Sequence, residues 1–254
     1  MSGRAAPPPP GYVRRRVGTA ELLARADAVD AVARAVESGG TLYDYAAAHP
    51  KRHVLQGRAP VYGAPLPNGH RVVVRHSWHG GLLAPLTGDR FFRPTRAPVE
   101  LAAALRLARA GVPTPEIVCY VRYPGGPLLN RVDVASDEIL DAADLGALLA
   151  DGVRAPDTAA WLPPVAALLA ALAAAGARHA DLNVKNILLA RRAGQVTAFV
   201  VDVDRVVFAA PSVAAAANAA RLVRSVRKRR AQGLASVGDA TLATLAMLGE
   251  ARGR

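Results

Sequence analysis

The densest chemistry in the chain is one short run, His179-Ala180-Asp181-Leu182-Asn183-Val184-Lys185-Asn186, followed by Ile187-Leu188-Leu189. An acid and a neutral amide five positions apart in one loop can do two jobs within a few ångströms. Asp181 can accept the proton of an attacking hydroxyl, and the side-chain oxygen of Asn186 can hold Mg²⁺ on nucleotide phosphates. Asp202, at the end of the apolar run Thr197-Ala198-Phe199-Val200-Val201, supplies a second oxygen ligand. Together they point to phosphoryl transfer onto an alcohol, a reaction catalysed mainly by positioning and charge neutralisation. Singly, each residue reads equally well as a helix cap or a surface loop residue; order and spacing carry the inference.

These groups need elements to hold them. Ile187–Leu189 and the run ending at Val201 predict two strands, and Arg191-Arg192-Ala193-Gly194-Gln195 predicts the hairpin turn that brings Asn186 and Asp202 together. Trp161 to Ala175 predicts a helix feeding the loop, and Leu140 to Leu149 another before it. Upstream, Asn68-Gly69 signals a turn into the strand His70–His76. The spacing resembles the catalytic loop of kinase-fold phosphotransferases, and in that order of elements Arg75 stands where a lysine usually contacts the phosphates. Glu100 opens a helix running to Gly111 and is the candidate partner of Arg75. Gly57 and Gly63, in the two short strands expected over residues 52–63, mark a sparse phosphate-covering loop, with Gly57 the candidate nucleotide contact. Strands are expected over Ile117–Tyr123 and Leu128–Val134, and one helix from Thr19 to Gly39. The reading is an α+β, two-lobed protein-kinase-like fold with an N-terminal antiparallel sheet lobe and a mainly helical C-terminal lobe.

With 254 residues, 32 Lys and Arg against 20 Asp and Glu, the chain carries a formal charge of +12. That implies an anionic partner: nucleotide, phosphorylated substrate, acidic lipid or nucleic acid. The single Cys119 excludes an internal disulfide framework. Pro7 to Pro10 and Arg14-Arg15-Arg16 leave no room for a secretory signal, and the apolar run Val165 to Ala177 is too short to span a bilayer. The chain therefore reads as soluble, or as lying on a membrane. Residues 1–16 are expected to form a mobile basic arm, 17–134 the nucleotide-binding lobe and 135–254 the catalytic lobe. In a late helix Arg221, Arg224 and Lys228 share a face suited to phosphate groups or an anionic membrane surface.

From about Leu55 to Arg230 the chain resembles the lipopolysaccharide core kinases, in particular 3-deoxy-D-manno-octulosonic acid (Kdo) kinases. The resemblance is carried by Arg75-His76, Gly80-Gly81, Asp89-Arg90-Phe91, Arg96, Glu100, Gly111-Val112-Pro113-Thr114-Pro115, the Asp181 loop, Asp202-Val203-Asp204-Arg205, and Asn218 with Arg221-Leu222 and Arg224-Ser225. It implies transfer from ATP, with Mg²⁺, to a hydroxyl of lipid A-linked Kdo at the cytoplasmic face of the inner membrane, and no nucleic acid partner. It implies Asp181 as base, Asn186 and Asp202 as metal ligands and Arg75 with Glu100 as the phosphate-positioning pair. Val203 stands where the family has Phe, and the acceptor stays open between Kdo, a heptose and another glycan. Other readings are a small-molecule phosphotransferase like the aminoglycoside or choline kinases, a compact protein kinase, and an inactive kinase-like module that binds membrane or nucleic acid.

Overall fold

Strands β1 (Tyr12–Val17) and β2 (Ala20–Arg25) form an antiparallel hairpin at the N-terminus of the computed structural model, which describes residues 7–55, 59–77, 89, 91–92, 95–126, 129–150 and 158–250. Two expectations are corrected here. The basic residues Arg14 to Arg16 belong to β1 rather than to a mobile arm, and the helix expected from Thr19 is β2 followed by helix α1 (Val29–Gly39). The run Leu22-Leu23-Ala24 is buried at every position, so both faces of β2 are covered and it has no polar alternation to announce it; Leu22 and Ala24 lie in the cluster formed with α1 and α2. The backbone ladder to β2 holds this charged strand, and Arg15 and Arg16 pair with Asp30 and Glu21 at its surface.

The remaining strands of this unit are β3 (His53–Leu55), β4 (Val61–Pro65), β5 (Arg71–His76), β6 (Phe91–Phe92), β7 (Ile117–Gly126) and β8 (Leu129–Asp137). They pair antiparallel in the order β1-β2-β7-β8-β5-β4-β3, with β6 on β8. Gly69, at φ +84°, makes the expected turn between β4 and β5, a conformation that favours glycine. Helices α1 and α2 (Leu42–Ala48) pack Ala31, Val32, Ala35, Val36, Leu42 and Ala46 onto Leu22, Ala24, Val72, Val74, Val118, Val121 and Ala135 of the sheet. Cys119 is wholly buried in β7 and burial pushes its thiol pKa up, which marks it as a core residue.

Asp133 of β8, with 0% exposure, orders the inner face of this unit. Its carboxylate accepts from the Tyr43 backbone N–H at 3.0 Å and from His76 Nδ1 at 2.6 Å, while His76 Nε2 donates to Asp89 at 3.1 Å. Burial alone would lower the His76 pKa, but its hydrogen bonds and charge interactions with Asp133 and Asp89 outweigh burial and hold it above the ordinary value. The stability this pairing contributes is therefore fully present below the unfolded value of about 6.5 and lost as pH rises through the higher folded value. The stability deficit of His76→Gln in urea melts is expected to shrink as pH rises above about 6.5; a deficit that stays constant would mean the imidazolium form is not what the carboxylates hold.

The chain divides into two compact units, residues 1–98 with 116–138, and residues 99–115 with 139–254. The second contains most of α3 (Ala97–Arg109), then β9 (Ala143–Asp144), α4 (Leu145–Ala150), α5 (Thr158–Ala174), β10 (Ala177–His179), β11 (Ile187–Arg192), β12 (Gln195–Val200), β13 (Val206–Phe208), α6 (Pro211–Ala231) and α7 (Asp239–Met247). The segment 99–115, which sequence order groups with the first lobe, belongs here instead. Arg106 lies 3.5 Å from the centroid of the Phe208 ring, and Pro113 accepts a hydrogen bond from the Val200 N–H, so both ends of the segment are tied to the second unit. The helix expected over Leu140–Leu149 begins only at Leu145, because residues 143–144 pair with β11.

Candidate active site

The Asp181 loop leaves β10 and closes through a 3-10 turn, Val184–Asn186, into β11. β11 and β12 form the expected hairpin, turning at Ala193-Gly194, where both residues have positive φ (47° and 83°), as a two-residue hairpin turn demands. Within the loop most backbone N–H groups have a fixed partner. The Asp181 carbonyl accepts from both Asn183 Nδ2 and Asn186 Nδ2, each at 2.9 Å. Asn183 Oδ1 in turn caps the 3-10 turn by accepting from Lys185 N–H at 2.9 Å.

His179 holds the loop from beneath and is fully buried. Its Nδ1 accepts from the Asp181 N–H at 3.1 Å, so the ring hydrogen sits on Nε2, which donates to the Val201 carbonyl at 3.1 Å. With both nitrogens committed to backbone, His179 is a strut between the loop and the end of β12 and takes no part in proton transfer. Asn186 and Asp202 are brought close by the two ends of the β11–β12 hairpin: Val201, the neighbour of Asp202, donates its N–H to the Asn186 carbonyl at 3.0 Å.

Asp202 adopts the left-handed conformation, φ 61° and ψ 49°, before a second 3-10 turn, Val203–Arg205. Aspartate tolerates that region better than most residues, at a cost on the order of 1 kcal/mol. Its side chain is exposed and makes no capping bond to the turn. Asn186 donates through Nδ2, which leaves Oδ1 as the side-chain atom able to take a metal. One amide oxygen and one carboxylate suit Mg²⁺, which takes few protein ligands when phosphates supply the others. Among the described residues no cluster of three or more His, Cys, Asp or Glu forms a ready cage, and an ion shared with a nucleotide needs none.

Helix α6 presses one face onto this loop. Asn218, Arg221, Ser225 and Arg229 recur at helical spacing. Asn218, 0% exposed, accepts from the His179 N–H at 2.9 Å and donates to the Ala177 carbonyl at 2.8 Å. Ser225 Oγ accepts from Val184 N–H at 3.2 Å, and Arg229 donates to the Gly146 carbonyl at 3.3 Å. Arg221 Nη2 meets Asp181 Oδ1 at 3.3 Å, with both side chains 38% exposed. Leu222, Val223 and Val226 are buried in the core.

Asp181, Asn186 and Arg221 are thus joined directly, with Asp202 one residue from a bond to Asn186. Arg224 and Lys228 stay exposed on α6, so the basic face read from the sequence splits, Arg221 turning onto the loop. Arg75 lies half-buried on β5 in the first unit, on the face of the strand opposite the buried Val72 and Val74. Glu100 is buried in the first turn of α3 in the second unit, at 4% exposure. Gly57 lies outside the described residues. The clamping roles of His179, Asn218 and Ser225 escaped the spacing argument; the signal for the last two was a polar residue every third or fourth position in an otherwise Ala- and Val-rich stretch.

Residues 59–238 match the model of the lipopolysaccharide kinase (Kdo/WaaP) family. The sequence is 32% identical over 167 residues to a 3-deoxy-D-manno-octulosonic acid kinase of Xylella fastidiosa strain 9a5c, a match covering 63% of each chain, so this chain spans less than two thirds of that relative's length. It is 31% identical over 192 residues to the kinase of the same description from Xylella fastidiosa strain M12, covering 73% of this chain and 72% of the relative. It is also 31% identical over 171 residues to that of Stenotrophomonas maltophilia strain K279a, covering 63% of each. Among solved structures, "WaaP in complex with acyl carrier protein" superposes with a TM-score of 0.53 at 18% identity, covering 85% of this chain and 86% of the other, which establishes a shared kinase-like fold. The mixed architecture, the antiparallel N-terminal sheet and the match over residues 59–238 place the chain in the lipopolysaccharide kinase (Kdo/WaaP) family, a family of phosphotransferases.

Proposed function

We propose that the chain transfers the γ-phosphoryl group of ATP to a hydroxyl of the Kdo sugar attached to lipid A. The observation that carries this reading is the Asp181 loop: its backbone is fixed from three sides by Asn183, Asn186 and His179, while its carboxylate is left half-exposed. In the reaction Asp181 takes the proton of the acceptor hydroxyl as the new oxygen–phosphorus bond forms and the bond to the ADP oxygen breaks. Asn186 and Asp202 would hold Mg²⁺, whose charge would offset that of the phosphates. Arg75 and Glu100 would form the phosphate-positioning pair, and the Gly57 segment would cover the nucleotide.

The test is phosphate transfer from Mg-ATP to Kdo-lipid A in detergent, read by mass spectrometry with Asp181→Asn as control. One phosphate added to the Kdo residue, and absent with the variant, supports the reading. Mg-ATP binding without transfer moves the acceptor to a heptose or another glycan; neither binding nor transfer leaves the inactive-module reading.

The substrate's bilayer gives the exposed cations of α6 a use, because a basic surface gains about 1 kcal/mol per Lys or Arg near anionic lipid. No helix among the described residues is long and apolar enough to cross a membrane; attachment at the cytoplasmic face of the inner membrane is part of the same proposal. Replacing Arg224 and Lys228 together by Ala is expected to lower activity on Kdo-lipid A in anionic vesicles about tenfold or more, with little change on a soluble Kdo fragment. Equal losses on both acceptors would remove the docking role. The structural neighbour was solved with an acyl carrier protein, so such a carrier is a second partner to test, by co-purification.

A further inference from the structure

Of the polar side chains on the inner face of α6, Asn218, Ser225 and Arg229 end on backbone groups, and Arg221 ends on the Asp181 carboxylate. Stability does not account for that contact: a half-exposed ion pair is worth about 0–1 kcal/mol. Nor can the guanidinium, which carries five N–H donors and no acceptor, take the proton of the hydroxyl itself. The contact is also partial, using one amino group at 3.3 Å, whereas a guanidinium carries further N–H donors in a planar fork that matches a carboxylate at two points. Moreover, Arg221 reaches the loop from α6, while Asn186 and Asp202, assigned to the nucleotide's metal, flank the β11–β12 hairpin, one just before β11 and one just after β12.

We propose that Arg221 is an acceptor-positioning residue that grips the carboxylate of an acidic sugar and so sets a neighbouring hydroxyl on Asp181. This rests on the phosphotransfer reading and deepens it: the feature selected in the acceptor is its acid group, which an octulosonic acid has and a neutral heptose lacks. The remaining donors of Arg221 bind the sugar carboxylate, and the contact to Asp181 fixes the distance between that anchor and the base. A lysine, with a point charge and no fork, can do this only in part.

The test uses the purified full chain with Mg-ATP and two acceptors in detergent, Kdo-lipid A and the same molecule with its Kdo carboxylates converted to primary amides. Wild type is expected to show an acceptor KM about 10- to 100-fold higher for the amide, the range of a charge-assisted hydrogen-bonded pair. Arg221→Gln is expected to raise KM for the acid by a similar factor and to leave KM for the amide within about twofold, with Arg221→Lys between, so that substitution and amidation are not additive. Thermal melts of both variants confirm that they are folded. Equal fold-losses on the two acceptors, or a loss confined to kcat or to the KM of ATP, overturn the assignment, the last because the anion would then be the γ-phosphoryl group. Absence of wild-type transfer to Kdo-lipid A overturns the acceptor reading and this inference with it, whereas transfer with equal losses overturns the role of Arg221 alone.

Discussion

Asp181→Asn is expected to lower kcat by about 10²- to 10⁴-fold, the usual contribution of a positioned general base, while leaving the affinity for Mg-ATP within about twofold. The substitution is nearly isosteric, and the groups that hold the loop are untouched by it. Asn183 and Asn186 bind the backbone carbonyl of residue 181 and His179 binds its backbone N–H, so none depends on the carboxylate. What disappears is the proton acceptor and the contact with Arg221. Loss of that half-exposed pair changes stability by about 0–1 kcal/mol, so the variant folds and its rate can be read as chemistry. Initial rates at saturating ATP, with nucleotide binding measured separately by calorimetry, check both halves. Full activity would show that another group takes the proton; a loss of ATP affinity matching the loss of rate would show that Asp181 serves the nucleotide.

The loop and hairpin of this candidate site were legible in the sequence because they are local. Asp181 and Asn186 lie in one loop, and the turn Ala193-Gly194 announces the hairpin that carries the chain on to Asp202. Two strands read as helix or arm, β1 and β2, show the opposite condition. β2 pairs with β7 about a hundred residues away, Glu21 opposite Arg122, and nothing within Ala20–Arg25 signals that partner. The basic helix shows a third case. Its spacing put Arg221, Arg224 and Lys228 on one side, but a helical wheel cannot say which turn meets which loop. Packing against β10 and the 3-10 turn decided that Arg221 faces Asp181 and that Arg224 and Lys228 stay in solvent. Segment 99–115 is similar: sequence order groups it with the sheet, while the Arg106–Phe208 stack and the Pro113 carbonyl bind it to the helical unit.

Asn218→Leu is expected to be the most destabilising single change at the site, although residue 218 touches neither Asp181 nor either of the metal ligands proposed above. The amide of Asn218 is fully buried and bridges β10 by one bond in each direction, accepting from His179 N–H and donating to the Ala177 carbonyl. Leucine fills a similar volume but strands both backbone groups without partners. Each buried group left unsatisfied costs about 1–3 kcal/mol, so the sum is on the order of 2–6 kcal/mol against a total stability of about 5–15 kcal/mol. Urea unfolding should show a lowered midpoint at unchanged slope. The damage is also directed. His179 is the strut under Asp181, and freeing its backbone loosens the ring that connects the loop to Val201. In conditions where Asn218→Leu remains folded, hydrogen exchange at the amides of His179 and Asp181 should quicken ahead of exchange in the β1–β2 hairpin, which belongs to the other unit. kcat should fall with it, since a base held loosely is a poor base. Uniformly faster exchange across the chain would mean that Asn218 supports the fold at large; unchanged stability would mean that a water or a shifted side chain takes its place on β10, and that α6 clamps the loop through Arg221 and Ser225 alone.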